Sequence, residues 1–151
     1  MCKIDINNVS IVLTEEQLKH IKEQTNINIP IYERVTDFKS LLKELNTTEA
    51  KLLPYKYNTS NKFEQYINAC IILAKVAELY NEGTVLDWTI SNVYKYYNYK
   101  YFSGGDYSVA VGGYCSGLYG SARLCFKSKE LAQKAYQNFK DEYEQYWSVD
   151  V

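Results

Sequence analysis

Residues 87–126 read DWTISNVYKYYNYKYFSGGDYSVAVGGYCSGLYGSARLCF and hold eight of the sixteen tyrosines, six of the seven glycines and one of the two arginines. Aromatic side chains suit a pleated, half-buried surface and glycines supply tight turns, so this stretch reads as a twisted antiparallel sheet. Residues 93–102 and 107–111 form two strands on either side of Ser103-Gly104-Gly105-Asp106. Gly112-Gly113 and the stretch from Gly117 to Gly120 then bound a third strand through Ala122, Leu124 and Phe126. In a regular strand Tyr94 and Tyr96 share one face while Tyr97, Tyr99 and Tyr101 share the other. A bulge between Tyr96 and Tyr97 would gather all five rings on one side.

Working outward, the segment before the sheet is the best helix in the chain. Over residues 61–82, Phe63, Tyr66, Ile67, Cys70, Ala74, Ala77 and Tyr80 recur at three- and four-residue spacing, and Ile71, Ile72, Leu73, Val76 and Leu79 widen that face. Such a helix belongs at the centre of the molecule. Thr59 or Ser60 is available as its N-cap, and Gly83 stands where a left-handed residue closes a helix. After the sheet, Ser128 caps a second helix with Leu131, Ala132, Ala135, Tyr136, Phe139, Tyr143, Tyr146 and Trp147 on one side. Lys134, Lys140, Asp141 and Glu144 face water. The expected architecture is α+β: a three-stranded antiparallel Tyr/Gly-rich meander packed against two amphipathic helices, occupying residues 59–151.

Residues 1–58 read as a smaller, loosely attached part. Ile4 and Ile6, then Val9, Ile11 and Leu13, alternate around Asn7-Asn8 as a hairpin does. Thr14-Glu15-Glu16-Gln17 is a capping box that opens a peripheral helix. A further helix starts at Thr36 or Asp37, carries Phe38, Leu41, Leu42 and Leu45, and ends at Asn46-Thr47. The polar run YKYNTSN at residues 55–61 reads as the link to the main body.

Composition narrows the function. With 17 basic and 18 acidic residues the net charge is −1, and no region strays from neutrality by more than one charge, so the field that drives non-specific nucleic-acid or membrane binding is missing. No apolar run approaches bilayer-spanning length and no basic, then apolar, leader opens the sequence, so a soluble, cytoplasmic protein with no membrane partner is expected. Cys2, Cys70, Cys115 and Cys125 are scattered without a CxxC pair and read as free thiols.

Catalytic readings find little support. A cysteine nucleophile needs a base, and His20, the only imidazole, sits among polar neighbours on the peripheral helix, far in sequence from Cys115 and Cys125. No chelating pair supports zinc. The glycine pairs match neither GxGxxG nor GxxxxGK[ST] and serve as turns. Asp87 and Asp106 would have to converge to act as paired carboxylates, and Asp87 before Trp88 suits a turn better. No cofactor or metal is expected, and the protein reads as a non-enzyme.

What remains is binding. Tyr94, Tyr96, Tyr97, Tyr99 and Tyr101 are interleaved with Lys95 and Lys100, and Arg123 lies in the third strand. Tyrosine-rich surfaces recognise proteins through rigid amphipathic rings. Rings beside cations also stack on a nucleotide or on single-stranded nucleic acid, which is the alternative. The lone arginine among apolar neighbours needs a partner: Asp87, Asp106, an anionic ligand or an acidic protein surface.

The run from Asp87-Trp88 through Ser91-Asn92 and Tyr94-Lys95-Tyr96-Tyr97 to Ala122-Arg123-Leu124-Cys125-Phe126-Lys127-Ser128, followed by a helix, resembles a group of small uncharacterised proteins of bacteriophages and mobile elements from gut and related bacteria. The opening hairpin with its LTEEQL is similar as well. No site residue transfers from that group. The resemblance implies a context, a small protein acting in the host cytoplasm by binding, such as an inhibitor that engages a host defence complex or sequesters its nucleotide signal.

Overall fold

The computed structural model describes residues 2–6, 9–17, 19–20, 29–84, 86, 93–114 and 124–148, and the chain divides into two compact units, Met1–Pro30 and Ile31–Val151. In the first unit β1 (Cys2–Ile6) and β2 (Val9–Leu13) pair antiparallel from Cys2↔Leu13 to Ile6↔Val9, the expected hairpin. The Thr14 capping box is formed: the Gln17 N–H donates to Thr14 Oγ1 at 3.2 Å and the Thr14 N–H donates to Gln17 Oε1 at 3.0 Å. Residues 15–17 and 19–20 are helical.

The second unit contains α1 (Ile31–Arg34), α2 (Phe38–Glu44), α3 (Glu49–Leu52), α4 (Lys62–Tyr80), β3 (Lys95–Ser103), β4 (Asp106–Tyr114), α5 (Lys129–Asn138) and α6 (Lys140–Trp147). The boundary therefore falls at residue 30 and not at 58. The reason is burial: Ile31, Val35, Phe38, Leu41 and Leu53 share one apolar core with Ile72, Val76, Tyr80, Phe126 and Phe139. Nor is the segment after Pro54 a slack link. The Asn68 amide donates to the carbonyls of Tyr55 and Lys56, both at 3.1 Å, and the Tyr57 hydroxyl reaches Glu142.

The helices begin and end for local reasons. Asp37 caps α2 by accepting from the Ser40 N–H at 2.7 Å, while Ser40 Oγ accepts from the Asp37 N–H at 3.0 Å, a capping box with serine in the place of the usual glutamate. Asn46 ends the same helix with φ 48°, and the Thr47 and Asn46 N–H groups donate to the carbonyls of Leu42 and Lys43 in a Schellman closure. Asn61, next to the expected Thr59 and Ser60, caps α4. At the far end of α4 the left-handed residue is Glu82 (φ 54°), with Gly83 (φ 69°) following, and Gly83 N–H to Glu78 O at 3.2 Å repeats the Schellman pattern. Ser128 caps α5 as expected, accepting from the Leu131 N–H at 3.2 Å.

Two expectations, one for the sheet and one for a helix, are revised. The described sheet has two strands, with β3 paired to β4. In place of a third strand through Ala122, Leu124 and Phe126 there is one antiparallel bridge, Tyr96↔Phe126, whose N–H groups donate reciprocally at 2.9 and 2.7 Å; Ala122 lies outside the described residues. The single helix expected after Ser128 is two helices. Phe139 interrupts it with φ −124° and ψ 40°, and its buried ring lets α5 turn Leu131, Ala132 and Ala135 inward while α6 does the same with Tyr143. The α+β class stands, with α5 against the hairpin and α4 against α1, α5 and α6.

Polar stitches join these elements at the end of α4. The fully buried Tyr80 hydroxyl donates to Val35 O at 2.6 Å and accepts from the Asn138 amide at 2.8 Å, and that amide also donates to Tyr32 O at 2.8 Å. The next residue, Asn81, donates to Cys125 O and accepts from the Lys127 N–H, each at 2.9 Å. Leaving a buried acceptor unpaired costs about 1–3 kcal/mol. Replacing Tyr80 by Phe is therefore expected to lower stability by about 1–3 kcal/mol, read as a lower urea midpoint at unchanged m value.

Candidate functional site

The β3–β4 hairpin carries the residues singled out for binding. Gly104 and Gly105 have φ of 64° and 91°, the paired positive values that a two-residue type I′ turn requires, and this sets a continuous register from Lys95↔Tyr114 to Ser103↔Asp106. The continuous ladder leaves no place for the expected bulge at Tyr96-Tyr97, so the five tyrosines do not share one face.

One face carries Tyr96, Asn98, Lys100 and Phe102 opposite Gly113, Val111, Val109 and Tyr107. Its root is built into the fold. Tyr96 and Val111 pack on the core, and the Asn98 amide donates to Ala132 O at 2.8 Å and to the Tyr143 hydroxyl at 3.0 Å. Lys100 donates to Glu144 Oε2 at 2.7 Å and its ammonium lies 5.0 Å from the centre of the Tyr107 ring. The Glu144 carboxylate holds the Lys100 ammonium above the usual lysine range.

The other face is a ladder of rings. Tyr97, Tyr99 and Tyr101 follow one another at centroid distances of 5.8 Å, tilted by 40° and 41°. Their cross-strand neighbours are all small: Gly112, Ala110 and Ser108. The Tyr97 ring lies over Gly112 so closely that an added Cβ would come within 2.6 Å of its Cζ and hydroxyl oxygen. Glycine is needed there for close approach, since the backbone at 112 is not left-handed.

Exposure sorts the predicted residues. Tyr94 (55%), Tyr99 (39%) and Tyr101 (41%) are exposed, Tyr97 is half-buried, and Tyr96 is committed to the core. Lys95 is fully buried and Lys100 is engaged by Glu144, so neither lysine stands in solvent beside the rings. Arg123 lies outside the described residues. Two residues not singled out from sequence prove the most prominent: Phe102 and Tyr107 are each 64% exposed and meet edge to face across the strands at 5.2 Å. The signal was present in the two-glycine turn, which makes the residues one step beyond Ser103 and Asp106 a directly opposed pair.

Of the nucleophile and carboxylate alternatives, the described residues bear on His20, Cys125 and Asp106, each taken in its own unit. His20 is exposed in the first unit, whereas Cys125 is buried in the second, where burial pushes its thiol up to about 11 and keeps it protonated. Cys115 and Asp87 lie outside the described residues. Asp106 is exposed beside the turn and accepts from the Tyr107 N–H at 2.7 Å, a turn role. Among the described residues no three His, Cys, Asp or Glu side chains are grouped to hold a metal ion, and no helix is long and apolar enough to cross a membrane.

No protein-family model, curated protein or solved structure matches this chain.

Substituting Ala for Gly112 drives the Tyr97 ring off β4. The expected cost is about 1–3 kcal/mol, as for other overpacked sites, with loss of the nuclear Overhauser contacts between the Tyr97 and Tyr99 rings. Contacts that survive the substitution would mean the ladder does not lie over residue 112.

Proposed function

We propose that this chain is a non-enzymatic binding protein of the phage or mobile-element type, whose β3–β4 hairpin docks on a host protein complex in the host cytoplasm and inhibits it. The supporting observation is a concentration of exposed rings. Of eight large hydrophobic side chains exposed among the described residues, six lie between Val93 and Tyr107. Clustered exposed aromatics mark interaction sites, and aromatic anchors dominate protein interfaces, where truncating one costs about 2 kcal/mol or more. Here they stand on a hairpin whose root is bonded to α5 and α6, so little ordering is required on docking.

The nucleotide and single-strand alternative also draws on Arg123, which lies outside the described residues, and is weakened at its two lysines, Lys95 and Lys100. One is buried and the other is already paired.

The test is a pull-down from host lysate with mass spectrometry of the eluate. Changing both Phe102 and Tyr107 to Ser is expected to abolish retention of the partner while costing the fold about 1 kcal/mol or less, the worth of one cross-strand pair. Tyr96→Ser, by contrast, should destabilise the protein itself, because that ring packs on the core. Retention unchanged in the double variant, or an eluate holding nucleotide or nucleic acid in place of protein, overturns the reading.

A further inference from the structure

The root of the β3–β4 hairpin is fixed by Asn98, whose amide donates to Ala132 O and to the Tyr143 hydroxyl, while residues 101–108 are all exposed. Lys100 stands between these two regions. On an antiparallel pair a side chain reaches both the residue directly opposite and the diagonal one on the same face. Lys100 lies opposite Val109 and Phe102 opposite Tyr107, so the diagonal neighbour of Lys100 is Tyr107.

The Lys100 ammonium makes two contacts in different parts of the fold. It donates to Glu144 Oε2 on α6 at 2.7 Å, and it stands 5.0 Å from the centre of the Tyr107 ring, within the range over which a ring face attracts a cation. The Tyr136 phenol of α5 also acts on it, less strongly than Glu144. Tyr107 in turn meets Phe102 edge to face at 5.2 Å. Glu144, Lys100, Tyr107 and Phe102 therefore form a chain of contacts that runs from a helix to the two rings that stand furthest into solvent on the hairpin.

Magnitude decides what such a chain can do. The Lys100 and Glu144 side chains are 27% and 41% exposed, and an exposed ion pair shifts an equilibrium by up to about fivefold. That is too little to decide whether the chain folds, but it is enough to choose between placements of exposed rings, where the competing contacts are equally weak. Salt weakens an exposed pair and hardly affects the buried bonds of Tyr80.

We propose that Lys100 is a positioning residue: held by Glu144, its ammonium sets the orientation of the Tyr107 ring and, through that ring, of Phe102. Its part in recognition is to aim the rings, in place of the phosphate contact that its sequence position suggested. The positioning itself is a property of this chain; only its bearing on docking rests on the hairpin reading above.

The test is nuclear magnetic resonance of the intact chain with no partner present. It follows the Tyr107 ring-proton shifts, the contacts of that ring with the Lys100 methylenes and the Phe102 ring, and the amide dipolar couplings of residues 101–108. Glu144→Gln keeps the length of the side chain and removes its charge. It is expected to shift the Tyr107 ring, to weaken the Lys100–Tyr107 contact by up to about fivefold, and to leave the amide signals of α4 in place. Raising the salt from about 0.01 M to about 1 M, where the screening length falls from about 30 Å to about 3 Å, should move Tyr107 the same way in the unaltered chain and have no such effect on Glu144→Gln. Because Glu144 acts through the ammonium, Glu144→Gln made on Lys100→Met should move Tyr107 no further. A Tyr107 ring unmoved by Glu144→Gln or by salt, or moved as far by Glu144→Gln in the Lys100→Met background, overturns the proposal. In the pull-down, Glu144→Gln should lower retention of the partner by up to about fivefold. Retention unchanged while Tyr107 moves would leave the positioning role standing and count against the hairpin as the docking end.

Discussion

The second unit depends on one buried hydroxyl. Tyr80 ends α4 with its ring wholly enclosed, and its Oη joins Val35 O on one side to the Asn138 amide on the other. Through that atom the segment after α1, the long central helix and the end of α5 are held in one arrangement. Ring burial alone would supply roughly 1.5–3 kcal/mol of apolar stabilisation without orientation. Direction comes from the hydrogen bonds, because a buried acceptor that loses its donor has no water to turn to.

Asparagine does the same work elsewhere. Asn68 ties the 55–56 backbone to α4, Asn81 holds the 125–127 segment, and Asn98 pins β3 to α5 and to Tyr143. All but the bond from Asn98 to the Tyr143 hydroxyl run from side chain to backbone, across long sequence separations, so each fixes the position of one element on another. Asn81 and Tyr96 act in series: the first positions residues 125–127 and the second accepts that segment as a bridge on the edge of β3. The hairpin root is thus determined by the end of α4.

Beyond Lys100 the hairpin runs out into solvent. Residues 101–108 are all exposed, and the rings there have ring neighbours within the hairpin, Tyr101 with Tyr99 and Phe102 with Tyr107. A rigid root with an exposed aromatic end is how loops on stable scaffolds carry function, since substitutions at the tip leave the core untouched. A pocket beside the α5–α6 break differs in origin. It is formed where the α5–α6 break brings Glu142 under the Tyr57 segment, so it exists only because a helix was interrupted and a supposed linker was drawn into the fold.

Local chemistry alone determined the first hairpin, the Thr14, Asp37 and Ser128 caps, the span of α4 and the two-glycine turn, because each rests on neighbours within about four residues, where spacing and capping rules operate. The class was legible for the same reason. Tertiary packing decided the rest. Residues 31–57 joined the main unit because their apolar side chains found a core made by residues far along the chain. The helix expected to run on from Ser128 breaks at Phe139, where Asn138 was only a weak stop signal and the ring is wholly buried. Which tyrosines face water was settled by an unbulged register and by the choice of face for α5, while Lys95, polar in sequence, was withdrawn from the surface and Lys100 was paired with Glu144. A residue's neighbours in space decide its burial, and those neighbours are set by long-range closure that no short window of sequence contains.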